Sequence, residues 1–137
     1  MILGFLSGPS RVPRVQAALE FPDLGGGRLE VSFVVDTGAA NVVLGPFDAR
    51  RLESQLRVSV RTLAPLPQGV SGVGGSSLAW TIPARVWLQH RSLEVAVQVM
   101  EPLGPATPPV PSLLGRAVLS AFTILVDTRN DLVVLYE

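Results

Sequence analysis

The sequence contains no cysteine, no lysine and a single histidine, His90. Without cysteine the chain has no disulfide, no thiol nucleophile and no thiolate ligand for a metal ion. A single histidine disfavours a Ser-His-Asp triad and a histidine-rich metal site, and His90 itself is expected in a solvated hairpin turn. We therefore expect neither a metal nor a cofactor.

Charge and long apolar runs are also scarce. Eleven arginines balance eleven acidic residues, so there is no basic surface for nucleic acid. The longest unbroken apolar run is five residues, from Leu132 to Tyr136, which is too short to span a membrane. Residues 1–8 lack the basic and apolar regions of a signal peptide. We expect a cytoplasmic protein with no nucleic-acid partner and no membrane span.

Apolar residues, by contrast, make up 47% of the 137 residues. This content predicts one domain over 1–137 and suggests that apolar surface is also buried between subunits. Short alternating segments separated by turns predict an all-β domain with one or two short helices, at 48–56 and 117–122. The predicted strands are 2–6, 12–21, 29–35, 42–44, 57–63, 78–82, 84–89, 92–100, 123–126 and 132–136.

The most informative stretch runs from Val34 to Leu44. β-Branched residues lead into Asp36, Thr37 and Gly38, and apolar residues then resume, which predicts a strand, a tight loop and a second strand. Gly38 lets the chain turn so that its N–H can approach the Asp36 carboxylate. On the tripeptide alone, a catalytic aspartate and an ordinary turn aspartate are equally good interpretations.

The loop Asp36-Thr37-Gly38-Ala39, with apolar residues on both sides, resembles the active-site loop of retropepsin-like (retroviral-type) aspartic proteases. Two further motifs follow in that family's order. Gly72-Val73-Gly74-Gly75, between two strand-like arms that predict a mobile hairpin, is similar to the flap tip. Leu113-Leu114-Gly115-Arg116 is similar to the segment that opens the family's C-terminal helix. The resemblance covers about 29–136 and is strongest to freestanding bacterial members.

The resemblance implies a single-domain closed β-barrel of the acid protease fold, active as a symmetric homodimer on peptide or protein substrates. Each subunit would supply one Asp36 to a catalytic dyad that activates water, with Thr37 and Gly38 in the same loop. The residues expected to contact substrate are Val34, Ala39, Gly72, Val73, Gly74, Gly75 and Leu113.

Three positions depart from the family's pattern, one of them Val42, which stands where Thr or Ser is frequent. Ala40 stands where retroviral members often carry an acid, and Ala117 stands where Asp or Asn commonly follows Gly-Arg. Because the arginine of that motif often pairs with the missing acid, Arg116 must find a carbonyl or a different acid. Two other interpretations remain open: a catalytically silent dimeric peptide-binding or scaffolding module, and an ordinary monomeric β-barrel with a coincidental Asp-Thr-Gly.

Asp127-Thr128 looks like a second catalytic pair, but Arg129 replaces the glycine and the segment lies in a predicted hairpin turn. We therefore interpret Asp127 as a turn aspartate. Trp80 and Trp87 lie on predicted strands and are expected in the core or in an interface.

Overall fold

The computed structural model describes residues 1–63, 68–72, 75–102 and 110–137. Strands dominate these residues, as the sequence predicted. The strands are β1 (Ile2–Leu3), β2 (Phe5–Ser7), β3 (Val12–Phe21), β4 (Gly27–Val35), β5 (Val42–Leu44), β6 (Gln68–Gly72), β7 (Gly75–Leu88), β8 (Arg91–Met100), β9 (Leu113–Leu114), β10 (Thr123–Asp127) and β11 (Leu132–Tyr136). Two short α-helices accompany them in the described residues, α1 (Pro46–Leu56) and α2 (Arg116–Leu119).

Six of the described strands close into a barrel. Strand β3 pairs antiparallel with β4, and β4 runs parallel to β9. Strand β9 pairs with β5, β5 runs parallel to β8, and β8 pairs antiparallel with β7. Strand β7 then pairs with β3, which closes the ring. The predicted closed β-barrel with short helices is confirmed.

The barrel interior is filled by alternate side chains of its strands. In β4 the residues Leu29, Val31, Phe33 and Val35 are buried, and the residues between them face outward. Full burial of one such side chain stabilises the fold by about 1.5–3 kcal/mol. A register slip of one residue would expose all four side chains, so their burial fixes the register of β4. The register in turn fixes where the strand ends, at Val35, directly before Asp36.

A separate three-stranded sheet, in the order β1-β11-β10, contains the first and last described strands. Strands β10 and β11 form the predicted closing hairpin, with Asp127 opposite Leu132 at its turn. Strands β3 and β4 also form a hairpin. It turns at Gly25 and Gly26, whose φ angles of 80° and 71° suit glycine.

Two strand predictions are wrong. Segment 57–63 forms a 3-10 turn over Val60–Thr62, because Val60 is buried and its N–H donates to the Glu53 carboxylate at 2.9 Å. Segment 2–6 is divided at Gly4, whose N–H donates to the Val133 carbonyl at 2.8 Å. Strands β1 and β2 therefore belong to different sheets.

The two strands predicted on either side of Pro83 are one strand, β7. Strand β6 pairs with β7 only up to Ala79, and β3 pairs with it only from Arg85. Between these positions β7 has β8 as its single described neighbour, so a proline without an N–H is tolerated there. Helix α1 begins two residues earlier than predicted, with Pro46 in its first turn, and α2 ends three residues before the predicted Phe122.

Candidate active site

Asp36 lies directly after β4, at the edge of the barrel. Val34 and Val35 are in parallel register with Leu113 and Leu114 of β9. The Asp36 N–H donates to the Leu114 carbonyl at 3.1 Å. The backbone at Asp36 is therefore fixed against β9 before the loop begins.

The loop closes around the Asp36 carboxylate. The Gly38 N–H donates to Asp36 Oδ1 at 2.9 Å, and the Ala39 N–H donates to the Asp36 carbonyl at 3.3 Å. A Cβ on Gly38 would lie 3.2 Å from Oδ1, tighter than an ordinary contact. Asp36 is half-buried, and its Oδ2 makes no hydrogen bond within the described residues. The carboxylate is thus oriented through one oxygen, and the other is available to a ligand.

The start of helix α2 braces this loop from outside. Arg116 Nη1 donates to the Thr37 carbonyl at 2.9 Å, and the Arg116 N–H donates to the Ala39 carbonyl at 2.9 Å. The Ala117 N–H donates to the Ala40 carbonyl, also at 2.9 Å. Of the two partners that the sequence left open for Arg116, the structure shows the carbonyl. Because the acceptors are main-chain carbonyls, the brace needs no acid at position 40.

Gly115 permits the close approach of α2 to the loop. A Cβ at this position would lie 2.7 Å from the Ala39 carbonyl oxygen and closer still to that of Asn41. Backbone atoms cannot move aside as a flexible side chain can, so a larger residue would separate the helix from the loop. In the Leu-Leu-Gly-Arg motif the leucines form strand β9, the glycine allows α2 to approach the loop, and the arginine binds the Thr37 carbonyl.

Sequence reasoning missed Ser112, which is 2% exposed. Its Oγ donates to Asp48 Oδ2 at 2.6 Å and accepts the Gly45 N–H at 2.9 Å, while its carbonyl accepts the Val34 N–H at 2.9 Å. Ser112 thereby joins α1 and the end of β5 to the strand that carries Asp36. Nothing in the sequence distinguishes this serine from a loop serine, because its partners lie 64 and 67 residues away.

The structure brings most of the predicted site residues together where β4 meets β9. Thr37 and Gly38 are exposed, whereas Val34, Ala39 and Leu113 are half-buried. The predicted flap belongs to a hairpin of β6 and β7, whose last pair is Gly72 with Gly75. No hydrogen bond of the described residues joins this pair to the Asp36 loop. Val73 and Gly74 lie outside the described residues, and the predicted mobility of the hairpin stays a prediction.

Asp127 is the turn aspartate that the sequence predicted. Its Oδ2 accepts Asn130 Nδ2 at 2.8 Å, and its Oδ1 accepts the N–H groups of Asn130 and Arg129 at 3.1 and 3.0 Å. These hydrogen bonds, led by the Asn130 side chain, lower the pKa of Asp127 from its ordinary value. His90 is exposed in the turn between β7 and β8, and Trp80 is buried in the core, both as predicted.

The described part of the chain contains no cluster of three or more acidic or histidine side chains able to hold a metal ion. Among the helices in the described ranges, none has the length and apolar character needed to cross a membrane.

No family model matches this sequence, and no curated protein sequence matches it. Solved structures do match. A retropepsin-like aspartic protease from Rickettsia conorii superimposes with a TM-score of 0.61 at 20% identity, over 95% of this chain and 94% of that one. EIAV protease complexed with an inhibitor gives a TM-score of 0.54 at 18% identity, over 84% of this chain and 91% of that one. The chain has the retropepsin-like aspartic protease fold that its motifs predicted.

Proposed function

We propose that this protein is an aspartic endopeptidase, a single domain over 1–137 that acts as a symmetric homodimer with one Asp36 from each subunit in its dyad. The retropepsin-like fold supports an aspartic protease function. The observation that carries the finer proposal is the Asp36 carboxylate itself. One oxygen is oriented by Gly38, the other has no partner among the described residues, and Arg116 braces the loop.

The dyad requires a second carboxylate. The other Asp-Thr of the chain, at Asp127, belongs to the turn of the separate three-stranded sheet. The segments 64–67, 73–74 and 103–109 contain no acidic residue at all. A second copy related by a two-fold axis supplies the missing group, and the exposed Thr37 and Gly38 leave the loop accessible to that copy.

The two Asp36 carboxylates of such a dyad share one proton, because two negative charges in direct contact repel each other too strongly for both groups to ionise. The ionised Asp36 takes a proton from water as the water oxygen bonds to the peptide carbonyl carbon. The protonated partner gives its proton to the carbonyl oxygen, which produces a neutral tetrahedral intermediate. Proton transfer to the amide nitrogen then breaks the C–N bond and releases an amine and a carboxylic acid.

An extended peptide suits the surroundings of this dyad. Val34, Ala39 and Leu113 would contact its side chains. The hairpin tip Gly72 to Gly75 would close over the peptide, exclude water and bind its main chain by strand-like hydrogen bonds.

The alternative of a catalytically silent peptide-binding module rested on Ala40 and Ala117. Those two residues are joined to each other by a main-chain hydrogen bond of 2.9 Å that helps to brace the loop. They therefore supply no reason to expect lost chemistry.

The direct test is cleavage of a diverse peptide library by the wild-type protein and by Asp36→Asn, whose amide is nearly isosteric but cannot exchange the proton. Asp127→Asn, the same substitution in the other Asp-Thr turn, is the matched control. Cleavage by Asp36→Asn at close to the wild-type rate, or cleavage that disappears only with Asp127→Asn, would refute the assignment.

A second test concerns assembly. Sedimentation velocity at micromolar concentration should give a dimer for the wild type and for Asp36→Asn. A monomer that nevertheless cleaves peptides would contradict the two-copy dyad.

A further inference from the structure

Arg14 differs from the other ten arginines of the chain, all of which the structure describes. It is half-buried and forms no ion pair, although all eleven acidic residues are also described. The unpaired Arg50, Arg57, Arg116 and Arg129 are exposed. The remaining half-buried arginines all pair with carboxylates: Arg51, Arg85 and Arg91.

Neutral acceptors fix the Arg14 guanidinium in place. Its Nε donates to Ser7 Oγ at 2.8 Å, and its Nη1 donates to the Ser32 carbonyl at 3.2 Å. These bonds satisfy donors but leave the positive charge uncompensated in a partly desolvated position. A planar guanidinium that is already oriented is well prepared for an incoming carboxylate, because little side-chain freedom remains to be lost.

Arg14 lines a surface pocket of about 550 Å³. The pocket also contains Arg51 and Asp48, which pair with each other at 2.7 Å, so one positive charge is left over. Its apolar wall includes Val110, Pro111 and Phe47, the last of which is 62% exposed. An apolar wall beside an uncompensated guanidinium suits a side chain with a short methylene stem and a carboxylate end.

The pocket lies close to the proposed dyad. Arg14 is opposite Val34 in the register of β3 with β4, and Val34 precedes Asp36 by two residues. Ser32 and Val34 face outward, and Asp36 continues the same alternation. At about 3.4 Å per strand residue, the Arg14 backbone is about 7 Å along the strand from Asp36, and its guanidinium, bonded to the Ser32 carbonyl, is about 14 Å from it. An extended peptide centred on Asp36 covers these distances within about two to four residues.

We infer that this pocket recognises an acidic side chain of the substrate, about two to four positions from the scissile bond, and that Arg14 is the specificity-determining residue. The inference rests on the proposed protease function and names the class of peptide that the protease selects.

The test uses pairs of peptides that differ only by Glu or Gln at one position, scanned across the positions that flank the cleaved bond. The wild type should cleave the Glu peptide about tenfold more efficiently in kcat/KM at one of these positions, a difference of about 1.4 kcal/mol. Arg14→Gln should bring this ratio close to one, and Arg14→Lys should retain part of it. Arg50→Gln, which removes the same charge from an exposed position on α1, should leave the ratio unchanged.

The Glu-to-Gln ratio is measured within one preparation, so a partly unfolded Arg14→Gln sample does not distort it. Cleavage without a Glu preference, or a preference that survives Arg14→Gln, would overturn the inference while the protease assignment stands. A changed dimer dissociation constant with an unchanged ratio would do the same, because Arg14 would then pair with a carboxylate of the second copy.

Binding separates this inference from the proposed function. The same fluorescent peptide pairs are titrated into the full chain carrying Asp36→Asn, with and without Arg14→Gln. If no peptide is ever cleaved but the Glu peptide binds tighter only when Arg14 is present, the pocket is upheld and the protease assignment falls. If the peptides are neither cleaved nor bound, both fall.

Discussion

The chain contains two Asp-Thr turns that begin alike and are completed differently. In each, the carboxylate accepts the N–H two residues further on, from Gly38 at 2.9 Å or from Arg129 at 3.0 Å. Asp127 also accepts two hydrogen bonds from Asn130, so both of its oxygens are used. The Asp36 turn instead receives three hydrogen bonds from Arg116 and Ala117, and these go to the main-chain carbonyls of Thr37, Ala39 and Ala40.

The difference separates a structural aspartate from one that is available for chemistry. The Asp127 side chain stabilises its own turn by bonds within three residues. The Asp36 turn is stabilised mainly from outside, so the turn does not need both carboxylate oxygens. A loop that is braced from outside can present a carboxylate with one oxygen free of hydrogen bonds within the described residues.

The sharpest test of this comparison is to exchange each aspartate for asparagine. Asp36→Asn should lower kcat/KM by about 10²–10⁴-fold, the usual contribution of a general acid or base. It should change the free energy of unfolding little, since the amide oxygen can still accept the Gly38 N–H. Asp127→Asn should show the opposite pattern, with activity nearly unchanged and lower stability in urea. If both variants lose activity equally, the two turns do not differ as described.

Gly115→Ala tests whether the outside brace depends on close approach. The added Cβ would meet the Ala39 carbonyl oxygen at 2.7 Å, so we expect a loss of about 1–3 kcal/mol in unfolding free energy from overpacking. Gly69→Ala is the control, because a Cβ at Gly69 meets nothing within 4 Å. Equal urea midpoints for the two variants would contradict the tight contact.

Arg116→Met removes the side-chain bond to Thr37 and leaves the main-chain bonds of α2 in place. A lost hydrogen bond from a charged donor costs about 1.5–3 kcal/mol when the site is shielded, and less at an exposed residue such as Arg116. We therefore expect kcat to fall by about tenfold or less, equivalent to at most about 1.4 kcal/mol. Arg129→Met, in the turn that stabilises itself, should leave kcat unchanged. A fall in stability alone, without a fall in kcat, would show that Arg116 does not position the loop.

The smallest expected effect concerns the acid dependence of stability. The pKa of Asp127 is lowered on folding from its ordinary 3.8, chiefly by the Asn130 side chain. Its stabilising contribution is therefore present above pH 3.8 and is lost as the pH falls through the lowered folded-state value. The urea midpoints of the wild type and Asn130→Ala should converge as the pH is lowered from 5 towards 2. If the difference between the two urea midpoints instead grows as the pH is lowered, the sign of this linkage is wrong.

Local patterns in the sequence predicted much of the molecule. Alternation located β4 and β8, glycine and aspartate located the hairpin turns, and the Asp-Thr-Gly motif predicted the loop. These signals suffice where a feature depends on residues within a few positions of one another. The partner of Arg116, and with it the bracing of the loop, was left open by the sequence. The strand prediction for 57–63 was wrong because alternation of apolar and polar residues carries no information about the hydrogen bond from the Val60 N–H to the Glu53 carboxylate.

Ser112 and Arg14 could not be assigned from the sequence for a different reason. Ser112 matters because the fold brings it to Asp48, 64 residues away. Arg14 matters because no carboxylate reaches it, and a missing partner is visible only once every acidic residue has been placed. Both depend on the arrangement of the whole barrel.

The distance along the chain between the Asp36 loop and its brace also bears on how the protein is made. Thr37 and Arg116 are 79 residues apart in sequence, and the main-chain hydrogen bond from Asp36 to Leu114 spans nearly as many. Contacts of such long range form late, since a large loop must close before they can. During synthesis Asp36 leaves the ribosome well before residue 114 has been added, and until then its loop has no brace. A nascent chain therefore lacks the brace of its proposed catalytic loop until translation has passed the Gly-Arg motif.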